Sequence, residues 1–338
     1  MNRYKSNFFQ DIGYMPWISL LCFFIPVSLK AEIITITGYA QGTTFQVKYV
    51  DQSKRNFRTQ IEKLLADFDK SLSLYREDSE LSVFNRSHAI RFTTPYFYPV
   101  LQKSYEIYKA TDGLFDPTVS PLIKAYGFGP EGRKEAGVNL DSIMQFVGFD
   151  KVDFDSLSVS KKVDPVSLDF NAIAQGYSVD LICTFLEERE IDSYLVEVGG
   201  ELRGKGVKPD GNHWVVGISD PIIPSQLAAT VVIDDRAMAT SGNYRNRYRK
   251  DGITYTHIVN PKTGLPGLSD ILSVTVFATD AMTADGYATA LSIMGIEGLK
   301  QWLNKHPGLD VFVVFSKKDG SHAVYISEGI RPFVKLRE

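Results

Sequence analysis

Apolar stretches of two different periods follow one another along this chain in no regular order. That irregularity limits the fold more than any other feature. Strand-like segments are Ile33 to Tyr49 (two strands joined near Gly42), a hairpin over Asp150 to Ser160, Ser193 to Val198 stopped by Gly199-Gly200, and His213 to Ser219. Ala228 to Ile233, Thr254 to Val259 and Leu272 to Ala278 follow, then Asp310 to Phe315 facing His322 to Ile326 across a Lys-Asp-Gly-Ser turn. Helical spacing runs through Asn56 to Leu74, where Ile61, Leu64, Leu65, Phe68 and Leu72 share a face. It recurs in Tyr98 to Ala110, Asn171 to Glu190, Asp280 to Met294 and a short segment ending at Lys305. A repeating βαβ rhythm is absent. The reading is therefore α+β, mixed, with largely antiparallel sheets packed with helices.

The 338 residues, 44% hydrophobic and 23% charged, suffice for a large core. A net charge of -3 gives no basic field for nucleic acid. Residues 1–31 differ from the rest: Arg3 and Lys5 precede the apolar run Met15 to Val27, and Ser-Leu-Lys-Ala31 closes it. This is the pattern of a secretory signal peptide, and the run is short for a membrane span. An uncleaved anchor is the alternative. Either way the body of the chain is expected outside the cytoplasm. Of the two cysteines, Cys22 falls in the leader, so Cys183 alone would remain, in an apolar helical run.

The stretch Ser241 to Pro266 is the richest in hydrogen-bonding groups. It holds a Ser-Gly turn, Arg245 and Arg247 among tyrosines, His257 central in an alternating strand, and Asn-Pro-Lys-Thr-Gly264. These groups suit a polar, phosphate-bearing ligand beside a titratable imidazole. Asp285 and Thr289 stand four apart, so a helix puts both oxygens on one face, a hard-oxygen pair suited to magnesium. A solvated helix face is the simpler reading of that pair alone. Asp169 ends an apolar strand just before a helix, as an N-cap or a ligand contact. Phe115, in the turn-rich Asp112 to Thr118 segment, either stacks on a planar ligand or plugs the core. Neither a Cys/His metal spacing nor a phosphate-binding glycine fingerprint occurs, and Gly199 to Gly206 reads as a hairpin.

In order along the chain stand Gly42-Thr-Thr-Phe45, Ser79-Glu-Leu-Ser82 with Asn85, Gly113-Leu-Phe-Asp-Pro-Thr118 and Leu168-Asp-Phe170. Ile173-Ala, Gly176-Tyr and Val179-Asp180 follow, then Thr240-Ser-Gly with Tyr244, His257-Ile-Val-Asn-Pro-Lys-Thr-Gly264, and Ala284-Asp285 with Ala288-Thr289. This series resembles the ApbE family of periplasmic FAD:protein FMN transferases, from about Thr37 to Gly295. The resemblance implies a T-fold-like architecture for a single domain over 32–338, FAD as substrate and Mg2+ as cofactor. It implies transfer of the FMN half to a Thr or Ser hydroxyl of a flavoprotein subunit of a membrane electron-transfer complex, with release of AMP. Peripheral association with the inner membrane fits such a partner.

By motif position, Gln41, Tyr75, Leu114, Phe115, Asp116, Asp169, Gln175, Ser241 and Ile258 would contact FAD. The carbonyl of Ala172, with Asp285 and Thr289, would hold the metal. His257 is the candidate base for the attacking hydroxyl, with Asp180 or Asp169 as alternatives. Lys262 or the Arg245/Arg247 pair could neutralise phosphate. Three positions depart from the family pattern. Gln175 stands where Lys is common, Gln41 where Met is common, and Tyr126 where Trp is frequent. The loss of a Lys charge leaves two further readings open, hydrolysis of FAD to FMN and AMP or non-catalytic flavin binding.

Overall fold

The computed structural model describes residues 1, 32–129, 139–242, 247–250 and 253–337. The proposed leader, Arg245, and most of the Gly-rich loop expected between Tyr126 and Leu140 lie outside the described residues.

The chain opens with β1 (Ile33–Ala40) and β2 (Thr43–Val50), joined at Gln41-Gly42, where both residues have positive φ. A helical stretch follows: α1 (Arg58–Leu72), α2 (Glu80–Arg86), a short β3 (Ala89–Arg91), α3 (Phe97–Ala110), α4 (Ser120–Ala125) and α5 (Leu140–Met144). The hairpin β4 (Val152–Phe154) and β5 (Ser158–Lys161) leads to α6 (Ala174–Glu187). Then come β6 (Tyr194–Val198), β7 (Glu201–Lys205), β8 (Trp214–Ser219), β9 (Leu227–Ile233), β10 (Arg236–Gly242), β11 (Arg247–Lys250), β12 (Ile253–Thr256) and β13 (Ile271–Ala278). The chain ends with α7 (Ala281–Ser292), α8 (Ile296–Leu303), β14 (Asp310–Ser316), β15 (His322–Ile326) and β16 (Val334–Leu336).

The main sheet has eight strands in the order β1-β2-β6-β7-β10-β13-β14-β15, and every ladder in it is antiparallel. The mixed α+β reading with antiparallel sheets holds. One face of the sheet packs on α1 and α6 through Ile36, Val47, Tyr49, Ile61, Leu65, Val179, Ile182 and Val196. The small sheet β16-β9-β8 covers the other face through Trp214, Ile218, Val231, Ile233, Phe277 and Phe312. Because β13 is covered on both sides, six consecutive residues, Ser273 to Ala278, are buried and the strand loses the alternation of a one-sided sheet.

Two expectations need correction. Ser241-Gly242 is not a turn: both residues end β10, paired with Val274 and Ser273. His257 is not central in a strand. β12 stops at Thr256, whose hydroxyl donates to the Ile258 carbonyl at 2.7 Å and bends the chain there. Val259 then makes a lone bridge to Pro266.

Helix α7 is built from small residues, and its neighbours come close. A Cβ on Gly176 of α6 would lie 2.2 Å from the Ala281 carbonyl oxygen and 2.8 Å from Asp285 Cβ. That contact is backbone against side chain, so nothing flexible can yield. Gly176→Ala is expected to destabilise the protein by about 3 kcal/mol through overpacking. Gly298→Ala on α8, where the nearest outside atom is Met294 Cβ at 3.6 Å, should leave stability unchanged or slightly raised. Chemical denaturation of the two variants beside the wild type measures the contrast.

Candidate active site

A cavity of about 680 Å³ opens beside α7, at Asp285 and Thr289. Its walls are the β1–β2 turn, the last turn of α1, the Leu114–Pro117 loop, the approach to α6 from Asp169 to Gln175, the end of β10, the 257–261 segment, and α7. Such a volume accommodates a large organic ligand. Twelve residues anticipated from the sequence as FAD or metal contacts line it together: Gln41, Tyr75, Leu114, Phe115, Asp116, Asp169, Ala172, Gln175, Ser241, Ile258, Asp285 and Thr289. His257 lines it as well. They come from seven separate stretches of chain.

The floor is set by the α6–α7 contact. Asp285 is only 7% exposed, and its Oδ2 accepts from the Gly176 N–H at 3.0 Å. In a regular helix that N–H would return to the Ala172 carbonyl. No backbone N–H among the described residues donates to Ala172 O, and Ala172 lines the cavity. Burial, reinforced by the charge of Asp180, pushes the Asp285 carboxyl up to about 7. Thr289 adds a hydroxyl one turn further along the same helix face. A nearly buried carboxylate, a carbonyl free of its helical donor and a hydroxyl form an oxygen donor set that fits Mg2+ with completing waters or phosphate oxygens. No group of three or more His, Cys, Asp or Glu side chains offers an alternative metal site among the described residues.

Asp180 does not line the cavity. Its two carboxylate oxygens accept from the Ala281 and Met282 N–H groups at 2.9 and 2.8 Å, and Arg203 stands 3.8 Å away. Burial raises it to about 7 in spite of those bonds. The geometry assigns it to anchoring the first turn of α7 rather than to taking a substrate proton. Asp169 is not the N-cap of α6, which is Ile173. Its Oδ1 accepts from Asn171 N–H at 2.8 Å in a local turn that shapes the cavity wall, and burial raises its pKa. Asp116 is buried and accepts from both the N–H and the hydroxyl of Thr118, at 2.8 and 2.6 Å. Burial still lifts it to about 6.

The two glutamines sit side by side. Ser178 Oγ lies 2.8 Å from the Gln175 carbonyl and 3.4 Å from Gln41 Oε1. Gln41 Nε2 is buried, meets no acceptor among the described residues and belongs to a cavity-lining residue, so a ligand acceptor fits it. Gln175 packs its amide over Gly199, where a Cβ would meet Nε2 at 2.8 Å. Phe115 is 3% exposed and joins the core while still reaching the wall, whereas Tyr75 is 70% exposed at the mouth. The His257 ring meets Phe128 edge-on at 6.5 Å. Lys262 is tied to Asp112 across the two cavity-lining loops, and the Arg247 side chain lies outside the described residues.

Sequence reasoning overlooked Asp69 and Glu201, both on the wall. Asp69 carried a signal: an acid in the last turn of a helix, between core residues Phe68 and Leu72. Glu201 carried none, since a polar residue after Gly-Gly reads as hairpin edge.

Fold and cavity together describe a mixed α+β protein with a large cleft lined by Asp285, Thr289 and Ala172 among other polar groups. The chain belongs to the ApbE family, whose model matches residues 41–313. It is similar to the FAD:protein FMN transferase of Vibrio cholerae serotype O1, 34% identical over 317 residues, which span 90% of this chain and 93% of that protein. The Haemophilus influenzae FAD:protein FMN transferase is 32% identical over 328 residues, 91% of this chain and 93% of the relative. The solved flavin transferase ApbE from Vibrio cholerae superposes with a TM-score of 0.81 at 33% identity, covering 90% of this chain and 99% of its own. The apo flavinyl transferase ApbE of Pseudomonas stutzeri gives 0.81 at 31% identity over 90% and 97% of the two chains.

The Asp116 shift has a stability consequence. Its folded pKa, about 6, exceeds the ordinary 3.8, so between these values the native state keeps a proton that the unfolded chain releases. The stabilisation is complete below the ordinary value and is lost as pH rises through the folded one. Asp116→Asn should flatten the fall in unfolding free energy across roughly pH 4–6, as measured by denaturant titration at half-unit pH steps.

Proposed function

We propose that this protein is an FAD:protein FMN transferase that uses Mg2+ to move the FMN half of FAD onto a Thr or Ser hydroxyl of a target flavoprotein. The observation that carries the reading is the convergence of the family's motif residues, distant in sequence, on one cavity whose floor offers Asp285, Thr289 and the Ala172 carbonyl. FAD here is substrate. In the overall step the acceptor oxygen bonds to the FMN phosphorus, the pyrophosphate P–O bond breaks, AMP leaves, and the hydroxyl proton passes to a base.

Bound Mg2+ would neutralise charge on the pyrophosphate oxygens. Asp285, held by the Gly176 N–H, supplies the carboxylate for it, and Asp180 keeps α7 in place from behind. Gln41 Nε2 would donate a neutral hydrogen bond to the ligand, and with Gln175 in place of a lysine the site would rely on the metal for charge compensation. His257, on the wall, is the proposed acceptor of the hydroxyl proton, a reading supported by its lining position and its near-neutral titration range, whereas Asp180 is off the wall and accepts from the Ala281 and Met282 N–H groups. Tyr75 at the mouth and the apolar Leu114 and Ile258 accept the ring systems.

The N-terminal pattern of residues 1–31 supports export to the periplasm, cleaved or anchored at the inner membrane. An acceptor within a membrane electron-transfer complex suits that location. Among the described residues, no helix is long and apolar enough to cross a membrane.

Incubation with FAD, Mg2+ and a threonine-bearing acceptor should yield flavin covalently attached to the acceptor, together with AMP. Asp285→Asn should slow that transfer by about a hundredfold or more. Rapid AMP release without acceptor would turn the reading toward a hydrolase, and unchanged turnover in Asp285→Asn would remove the metal assignment.

A further inference from the structure

Asp69 is a carboxylate on the cavity wall for which neither the motifs nor the proposed chemistry supplies a role. It occupies the last turn of α1, where the helix presents its negative end and an acid is unfavourable. It is partly buried, and burial raises its pKa. Among the described residues its carboxylate has no hydrogen-bond or ion-pair partner. Arg76, the cation whose charge acts on it, pairs with Asp78 at 2.7 Å instead. Three other acids of the wall differ. Asp116 accepts from Thr118, Asp169 from Asn171 and Asp285 from Gly176.

Two costs therefore fall on one side chain, the helix end and partial desolvation, and its oxygens are left to solvent or to a donor arriving from the cavity, which would offset the desolvation. Asp69 also lies six residues before Tyr75, and both line the cavity, so this stretch of wall pairs an aromatic face with a hydrogen-bond acceptor.

We infer that Asp69 is a ligand-reading residue that accepts a hydrogen bond from a hydroxyl or amino group of the bound dinucleotide. The inference rests on the FAD reading proposed above and adds a contact to it. A carboxylate in this position favours ligands that present such a donor. It leaves an uncompensated charge against an analogue that lacks one, the asymmetry that makes buried polar groups selective.

The test is binding, measured on the full protein in the presence of Mg2+. FAD and FMN are titrated by flavin fluorescence, and ADP by competition with FAD. Wild type, Asp69→Asn and Asp69→Ala are compared. The Asn variant keeps the shape and serves should the Ala variant unfold, and thermal unfolding confirms that the variants compared are folded. FAD affinity is expected to fall about tenfold or more in both variants. If ADP weakens in parallel while FMN does not, the donor lies on the adenosine half. If FMN weakens while ADP does not, it lies on the flavin half. Either pattern supports the inference. Unchanged affinities for all three ligands overturn it. So does a fall in turnover with every affinity intact, which would assign Asp69 to the incoming hydroxyl instead. Failure of the wild type to bind FAD would defeat the functional reading itself, and this contact with it.

Discussion

The site depends on one approach of backbone to backbone, Gly176 of α6 against the first turn of α7. With no side chain there, the two helices close to a distance that a single methyl would prevent. The N–H of Gly176 is diverted from its own helix to Asp285, which fixes a carboxylate on the cavity floor and releases the Ala172 carbonyl in the same stroke. Asp180, one turn further along α6, bonds the N-terminal N–H groups of α7 from the other side. Two acids and one glycine thus set the relative position of two helices and of the oxygens proposed to hold the metal.

The energetic pattern around that contact is unfavourable by local measures and coherent by global ones. Asp285 and Asp180 both resist ionisation where they stand, each raised to about 7 by burial. A divalent cation on the floor would favour the charged form of Asp285 and offset its desolvation. The neutral amides of Gln41 and Gln175 do not compete for that cation. With Mg2+ bound as proposed, the positive charge at the site would belong to a removable ion rather than to a fixed lysine.

Much of this was legible in the sequence, for physical reasons that can be named. The α1, α3, α6 and α7 helices and most sheet strands carry clear periodicity, and the site residues fall in turn-rich blocks whose order matches a family. What escaped had weak local signals. β10 contains Arg236, Thr240, Ser241 and Gly242 among small residues, and it is a strand because β7 and β13 flank it, not because of its own propensity. His257 sits past the end of its strand because Thr256 turns its hydroxyl onto the chain ahead, a side-chain bond that alternation cannot reveal. Asp180 stood as an alternative base through its place in the motif series. Only the placement of α7 against it shows where its oxygens go. The strand order of the main sheet, in which distant pieces become neighbours, has no local signature at all.

That strand order bears on how the chain acquires its cleft. Walls that meet in space come from Gln41 near one end and Thr289 near the other, and β2 pairs with β6 across some hundred and fifty residues. Contacts this remote close late, so no early fragment of the nascent chain carries a functional pocket. A polypeptide threaded through a membrane before folding would stay blind to the dinucleotide until its last third emerged. Ligand recognition in this architecture is thereby reserved for the finished molecule.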